Sequence, residues 1–466
     1  MCERGSVDGL GVALVVQTPA GLSRERLVGL VQALLDRHAM LRARLERSDG
    51  DGGESTLRVG LVGSVTASAC IRRVDAIGLD REGLRQVIEV EAAVARARLA
   101  PRAGVMVQVV WLDCGPARPG RLLVCAHRLV VDGVSLRILL EDLATGGAQA
   151  AAGRPVVLPP CGTSFRRWAQ LLTERAQDPA QIAELAVWTA VLDGRDPPLG
   201  DRPFDPACDT VGTCREMRLT LPAARAEPLL TRVPAAFHAG VDDVLLCGLA
   251  LVVAQWRRRR GEDDQRGVLI DLGGHGREQV APGVDLSRTV GWSTGVFPVR
   301  LDVGGADLDE ALAGGPAAGK ALKGVKEQLR AVPDHGLGFG LLRYLNPETG
   351  AVLAGLPAPQ IMFNYLGRFN VPNADDWALV PDSGRIGTDL GLPVSHSLDI
   401  TAWTEDLPDG SQLHVKWVWP GGLLTEEAVR ELAQCWFQAL DALAVQAAQP
   451  GAGGHTPSDF PLARLS

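Results

Sequence analysis

Apolar and polar positions recur with two periods along the chain, and the switches between them mark out its elements. Over 24–45, Leu27, Val28, Leu30, Val31, Leu34, Leu35, Leu41 and Leu45 follow helical spacing, and Ser23 is placed to cap the first turn. Residues 105–112 and 121–126 are short continuous apolar runs, which predict buried strands joined through a Pro/Gly turn. Helical spacing resumes over 134–143 through Leu136, Leu139, Leu140 and Leu143, and the Ala-, Gly- and Pro-rich stretch 144–160 reads as a connector. Helical patterns follow at 164–176, around 180–193 and at 241–257, with strands at 267–272, 297–302 and 359–365. A hairpin spans 397–419, with arms Ser397–Thr404 and Gln412–Trp419 and Pro408-Asp409-Gly410 at its turn. Leu413, Val415, Trp417 and Trp419 fall on one face of its second arm. A last helix covers 424–446 with Thr425 as its cap, and 448–466 is expected to leave the globular body. The pattern is mixed α and β, without a short repeat, in two halves joined near 150–180.

Composition narrows the function classes. The chain has 466 residues, 46% apolar and 22% charged, which suits a globular protein with a sizeable core. A net charge of −8 argues against a nucleic-acid partner, which needs a concentrated basic face. The short basic run Arg257–Arg260, followed by Glu262, Asp263 and Asp264, reads as the solvated end of a helix. No apolar run reaches the roughly 18 residues of a membrane helix, and Met1-Cys2-Glu3-Arg4 does not open a signal peptide. The expected location is the cytoplasm. Nine scattered cysteines form no Cys-x-x-Cys pair, as expected of reduced thiols rather than a zinc or redox site. His335, His396 and His414 are spread too widely to suggest a metal site, and satisfied polar contacts are expected of them.

One segment carries candidate chemistry. His127-Arg128-Leu129-Val130-Val131-Asp132-Gly133-Val134-Ser135 lies between a predicted strand and a predicted helix, a polar cluster inside an apolar run. Buried polar groups need partners. On spacing alone this is a structural loop, with Asp132 paired to an arginine and His127 making a hydrogen bond.

The segment also resembles the His-His-x-x-x-Asp-Gly motif of the condensation superfamily of nonribosomal peptide synthetases, with Arg128 at the second His and with His127, Asp132 and Gly133 kept. Further blocks resemble the epimerization branch in order. These are Gly274-His275-Gly276-Arg277-Glu278, Val290–Arg300, Phe363-Asn364-Tyr365-Leu366-Gly367, His396–Ile400 and Gly453–Phe460, the last similar to that branch's exit linker. The resemblance implies an α/β fold of two chloramphenicol-acetyltransferase-like lobes in a V-shaped pseudo-dimer with a central tunnel. It implies an N-terminal lobe 1–178, a C-terminal lobe 179–447 and an exit linker 448–466, with the His127–Gly133 loop at the seam. Such domains sit inside a longer synthetase, so Met1 is expected to be an imposed boundary.

The departures bear on function. In the family the second His and a leading Glu exchange protons with an α-carbon; here these positions hold Arg128 and Gly273. Arginine stays protonated and glycine has no side chain, so neither serves as a base. Arg128 is expected to fill part of the tunnel, paired with a nearby carboxylate. The resemblance is strongest to the X domain of glycopeptide-antibiotic synthetases, an epimerization-like domain that starts with the same His-Arg pair. It recruits cytochrome P450 oxygenases to peptide on a neighbouring carrier domain for aromatic cross-linking. Gly133 stands where X domains carry a second Asp. The implied partners are therefore P450 oxygenases and an adjacent carrier domain that bears phosphopantetheine, with no cofactor on this chain. Two alternatives stay open: a weak epimerase using His127, Asn364 or Tyr365, and a relic that only spaces its neighbours. Leu272-Gly273-Gly274-His275 mimics a carrier motif, but Gly276 replaces the serine that would take the arm. Gly336-Leu337-Gly338-Phe339-Gly340 reads as a flexible bridging loop.

Overall fold

The computed structural model describes residues 8–47, 55–262, 267–303, 305–370, 376–380 and 391–460. They divide into two compact units, broken after Leu171; the first unit also takes in His275–Thr294 and the described part of a third stretch, 376–380. Each unit thus draws on separate stretches of chain, where the sequence pattern suggested two contiguous lobes.

The first unit holds strands β1 (Gly11–Thr18), β2 (Ala43–Arg47), β3 (Ser55–Val59), β4 (Ile71–Asp75), β5 (Val107–Asp113) and β6 (Gly120–His127). Four form a sheet in the order β1-β6-β5-β4, with only β4 and β5 parallel, and β2 and β3 pair separately. The apolar runs of β5 and β6 are continuous because both faces of this sheet are buried. Val109, Trp111, Leu122 and Val124 face one cluster, with helices Arg24–Arg37 and Gly133–Ala151; Val110, Leu112, Leu123 and Cys125 face the other, with helix Arg81–Ala97. Ser23 does cap the first helix, accepting from the Arg26 amide at 3.3 Å. That helix stops at Arg37, and Ala43–Arg47 is strand rather than helix.

The expected connector at 144–160 begins later, because the helix from Gly133 runs on to Ala151. Its glycines serve packing. A Cβ on Gly146 would lie 2.5 Å from Leu30, and one on Gly147 would lie 2.2 Å from the Trp377 indole. Trp377 is brought there by 376–380, which pairs along β1: the Trp377 amide donates to the Gln17 carbonyl and the Val380 amide to the Val15 carbonyl, each at 2.9 Å. This covers an otherwise open sheet edge.

The second unit holds β7 (Cys214–Leu221), β8 (Val268–Gly274), β9 (Gly295–Leu301), β10 (Ile361–Asn370), β11 (Leu398–Leu407) and β12 (Gly410–Pro420), in the order β7-β12-β11-β10-β8-β9. The predicted hairpin is β11–β12, and Leu413, Val415, Trp417 and Trp419 are all at most 1% exposed on its helix-covered face. Helices Val241–Arg259, Pro316–Arg330 and Glu426–Ala447 pack there, the last capped by Thr425. No single helix among the described residues is long and apolar enough to cross a membrane.

Three expectations change here. Arg257 is not solvated: its side chain is 5% exposed and pairs at 2.6 Å with Asp196, itself 4% exposed, since a cation pointing into the unit must bring its counter-ion. Arg258 and Arg259 do reach surface partners, Asp309 and Glu431; Asp263 and Asp264 lie outside the described residues. The glycine-rich stretch at 336–340 is no loop. Gly336 takes a positive φ of 85° and starts the helix Leu337–Tyr344, where Gly338 makes room for Gln181 and Glu184. Finally, 453–460 does not leave the body but packs onto the second unit, the Gly454 amide donating to the Ala236 carbonyl at 2.9 Å.

Candidate functional site

Within the first unit, β6 ends at His127 and the next helix begins at Gly133, so the intervening turn is tight. Its backbone is tied on each side: the His127 amide donates to the Met106 carbonyl and the Arg128 amide to the Leu10 carbonyl, both at 2.8 Å. Val130 and Val131 anchor the turn, fully buried. His127 is also 0% exposed, and its Nδ1 accepts from the Leu129 amide at 3.1 Å. A neutral ring then carries its proton on Nε2. The imidazole is buried and bonded into its own turn.

Asp132 caps the helix. Its carboxylate accepts from the Ser135 amide and hydroxyl at 2.8 Å each, from Arg277 at 2.8 and 3.0 Å, and from the Ser293 and Thr294 amides at 3.0 and 3.2 Å. Desolvation, the largest single influence, pushes its pKa up, but the hydrogen bonds of Arg277 and Ser135 and the charge of Arg277 together hold it below the usual carboxylate value. Asp132 is an anchor for the returning segment His275–Thr294. A second anchor lies further along the same helix, where buried Asp142 holds Arg288 and the Nε2 of His38, the latter at 2.7 Å. His275 sits at the surface, its side chain 58% exposed and 3.3 Å from Glu278. Gly133 has open space where a Cβ would project, so its lack of a side chain is not forced by packing.

Arg128 differs from expectation. Among the described residues it has no carboxylate partner and no side-chain hydrogen bond. The residue as a whole is solvent-exposed, which lessens the need for a counter-ion. Burial still pulls its pKa down from the ordinary arginine value.

In the second unit, Gly273 lies on β8 opposite Val296 of β9. A Cβ there would stand 3.1 Å from Asn364 and 3.2 Å from Met362, so the first atom of any side chain meets occupied space. Asn364 is therefore beside Gly273. Tyr365, next in the strand, points to the other face, where its hydroxyl meets Thr404 at 2.8 Å; burial raises its pKa. On the face of Gly273 the structure adds a pair that spacing could not reveal. Asp271, two residues earlier on β8, holds the Nε2 of His396 at 2.8 Å, with both side chains about seven-eighths buried. Desolvation pushes nearby Asp399 above the usual carboxylate range, against the opposing pull of Lys416, Thr401 and His396.

The two units therefore hold two constellations of opposite character. Around Asp132 every acceptor is committed to structure. Around Gly273 a histidine–carboxylate pair stands beside a vacant motif position.

The condensation-domain family model matches residues 10–465. One subunit of the linear gramicidin synthase of Brevibacillus parabrevis is 37% identical over 97% of this chain, which spans only 6% of that protein. The epimerization domain from the third module of tyrocidine synthetase B superposes with a TM-score of 0.79 at 26% identity, covering 95% of this chain and 94% of that one. A complex of the X-domain and OxyB from teicoplanin biosynthesis shares the fold, at 18% identity and a TM-score of 0.66 over 95% of this chain and 90% of that one. The chain belongs to the condensation-domain family of nonribosomal peptide synthetases, with an epimerization-like fold.

Proposed function

We propose that this domain is silent at the α-carbon and acts as a docking body, presenting carrier-bound peptide to a cytochrome P450 oxygenase for aromatic cross-linking, as in glycopeptide-antibiotic assembly. The observation that carries the silent half is the pair of motif positions Arg128 and Gly273, one a permanent cation and the other without a side chain. The geometry around them supports it, because His127 is buried and Asp132 is saturated. The docking half is supported by the His127-Arg128 start, similar to that of X domains, and by the X-domain's capture with OxyB. The neighbouring carrier domain would supply phosphopantetheine.

A second reading is an atypical epimerase, and Asp271–His396 favours it. A histidine held by a carboxylate has the arrangement of an acid–base pair. One experiment separates the two. An aminoacyl- or peptidyl-loaded carrier incubated with the domain in heavy water is expected to show Cα-proton exchange at background. Exchange above background that is lost in His396→Ala would establish the epimerase instead. In gel filtration the domain is expected to co-migrate with an oxygenase of its own pathway; failure with every one of them removes the docking role.

A further inference from the structure

Lys326, in the helix Pro316–Arg330, is 0% exposed, unusual for a lysine. Its ammonium donates to the Phe237 carbonyl at 3.0 Å and to both oxygens of Asp459 at 2.7 and 2.8 Å. The carboxylate that neutralises this buried cation comes from the segment that sequence pattern alone sends into solvent. The same segment makes further contacts in register. The Ser458 hydroxyl donates to Glu327 at 2.5 Å, the Gly454 amide to Ala236, and the His455 ring stacks on His238 with centroids 4.0 Å apart. His238 is held at a positive φ of 51° where its helix ends. Gly453 has a φ of 91°, and a Cβ there would lie 2.2 Å from the Ala236 carbonyl oxygen, so the backbone passes where only glycine fits. The segment shapes itself for the site: the Thr456 amide donates to Asp459 at 2.8 Å, closing a short turn that presents the carboxylate inward.

We propose that the second unit carries a peptide-binding site built around Lys326, specific for an acidic Thr-x-Ser-Asp turn, and that the chain's own segment 453–460 is its resident ligand. A buried ammonium left alone is strongly unfavourable, so occupancy is the resting state. The consequence is positional: the chain is held at this groove as far as Phe460, thirteen residues past the end of the preceding helix at Ala447.

The test uses the full chain. In Asp459→Asn, hydrogen exchange over 454–460 and protease cutting within 448–460 are expected to speed up about 10- to 100-fold, the factor that loss of a charge-assisted hydrogen bond carries, while exchange in β10–β12 is unchanged. A labelled peptide of residues 452–462 is expected to bind this variant and not Lys326→Met. Should Asp459→Asn unfold the unit, Lys326→Met/Asp459→Asn removes the lone ammonium and is expected to be folded with the segment released. Wild-type protection of 454–460 in whichever of these variants folds overturns the proposal, as does equal peptide binding by Lys326→Met.

Discussion

Asp132→Ala is expected to destabilise the first unit by about 3–5 kcal/mol, the range seen when one partner of a buried ion pair is removed. The measurement is the denaturant midpoint at unchanged slope. The size follows from what is left behind. Arg277, 7% exposed, loses its bidentate partner, and the Ser293 and Thr294 amides lose their acceptor. The helix Gly133–Ala151 loses its cap in the same stroke, by itself worth about 1 kcal/mol. Asp132→Ala/Arg277→Met should recover part of the loss, because it removes the stranded cation. The sign of the pH dependence is set by the lowered pKa of Asp132. Its contribution is complete above the unfolded-state value of about 3.9 and disappears as pH falls through the lower folded value. Wild type and variant should therefore begin to converge below about pH 4, and their difference should shrink further as the pH falls. A loss under about 1 kcal/mol at neutral pH, against the 3–5 expected, would mean that the anchor role assigned to Asp132 is mistaken.

The same residue shows what can be read in advance. That Asp132 lies between a strand and a helix, and that it pairs with an arginine, follows from a polar cluster set inside an apolar run. That the arginine is Arg277 does not, since only the fold brings positions so far apart together. Strands β5, β6, β8 and β10 and the β11–β12 hairpin are legible because burial imposes apolar runs or strict alternation. β1 and the helix Arg81–Ala97 carry the same kinds of pattern but are lost among neighbouring signals. Glycine misleads in two places. At 146–147 and 336–340 it suggests loose chain, whereas Gly147 and Gly338 make room for Trp377 and for Gln181 and Glu184. Charge misleads in a related way: Arg257 reads as a solvated cation, yet it and Lys326 are both buried against aspartates distant in sequence. Asp271–His396 stays hidden for the same reason. Of the candidate positions, Gly273 and Asn364 are neighbours, Tyr365 turns away from them, and His275 sits at the surface.

If the domain is silent at the α-carbon, as proposed, and Arg128 and Gly273 alone account for it, putting the family's residues back should awaken exchange. Arg128→His/Gly273→Glu is expected to raise Cα-proton exchange on a loaded carrier at least about 100-fold over wild type, since each acid–base group contributes roughly 10²–10⁴. Each single variant should gain far less, because removal and return of the proton need a group on either face. Packing constrains the second substitution. The new Cβ enters 3.1 Å from Asn364 and 3.2 Å from Met362. Both are side chains that can swing, so a shift of a few tenths of an ångström accommodates it, and adding Met362→Ala relieves the contact if folding suffers. Arg128 is easier, since no carboxylate among the described residues pairs with it. The folded state of each variant is checked by its denaturation midpoint before exchange is measured. A folded double variant, with or without Met362→Ala, that stays at background would show that something other than these two positions silences the domain. A gain carried wholly by Arg128→His would instead give Asp271–His396 the part assigned to the missing glutamate, since that pair already stands on the same face of β8, two residues from Gly273.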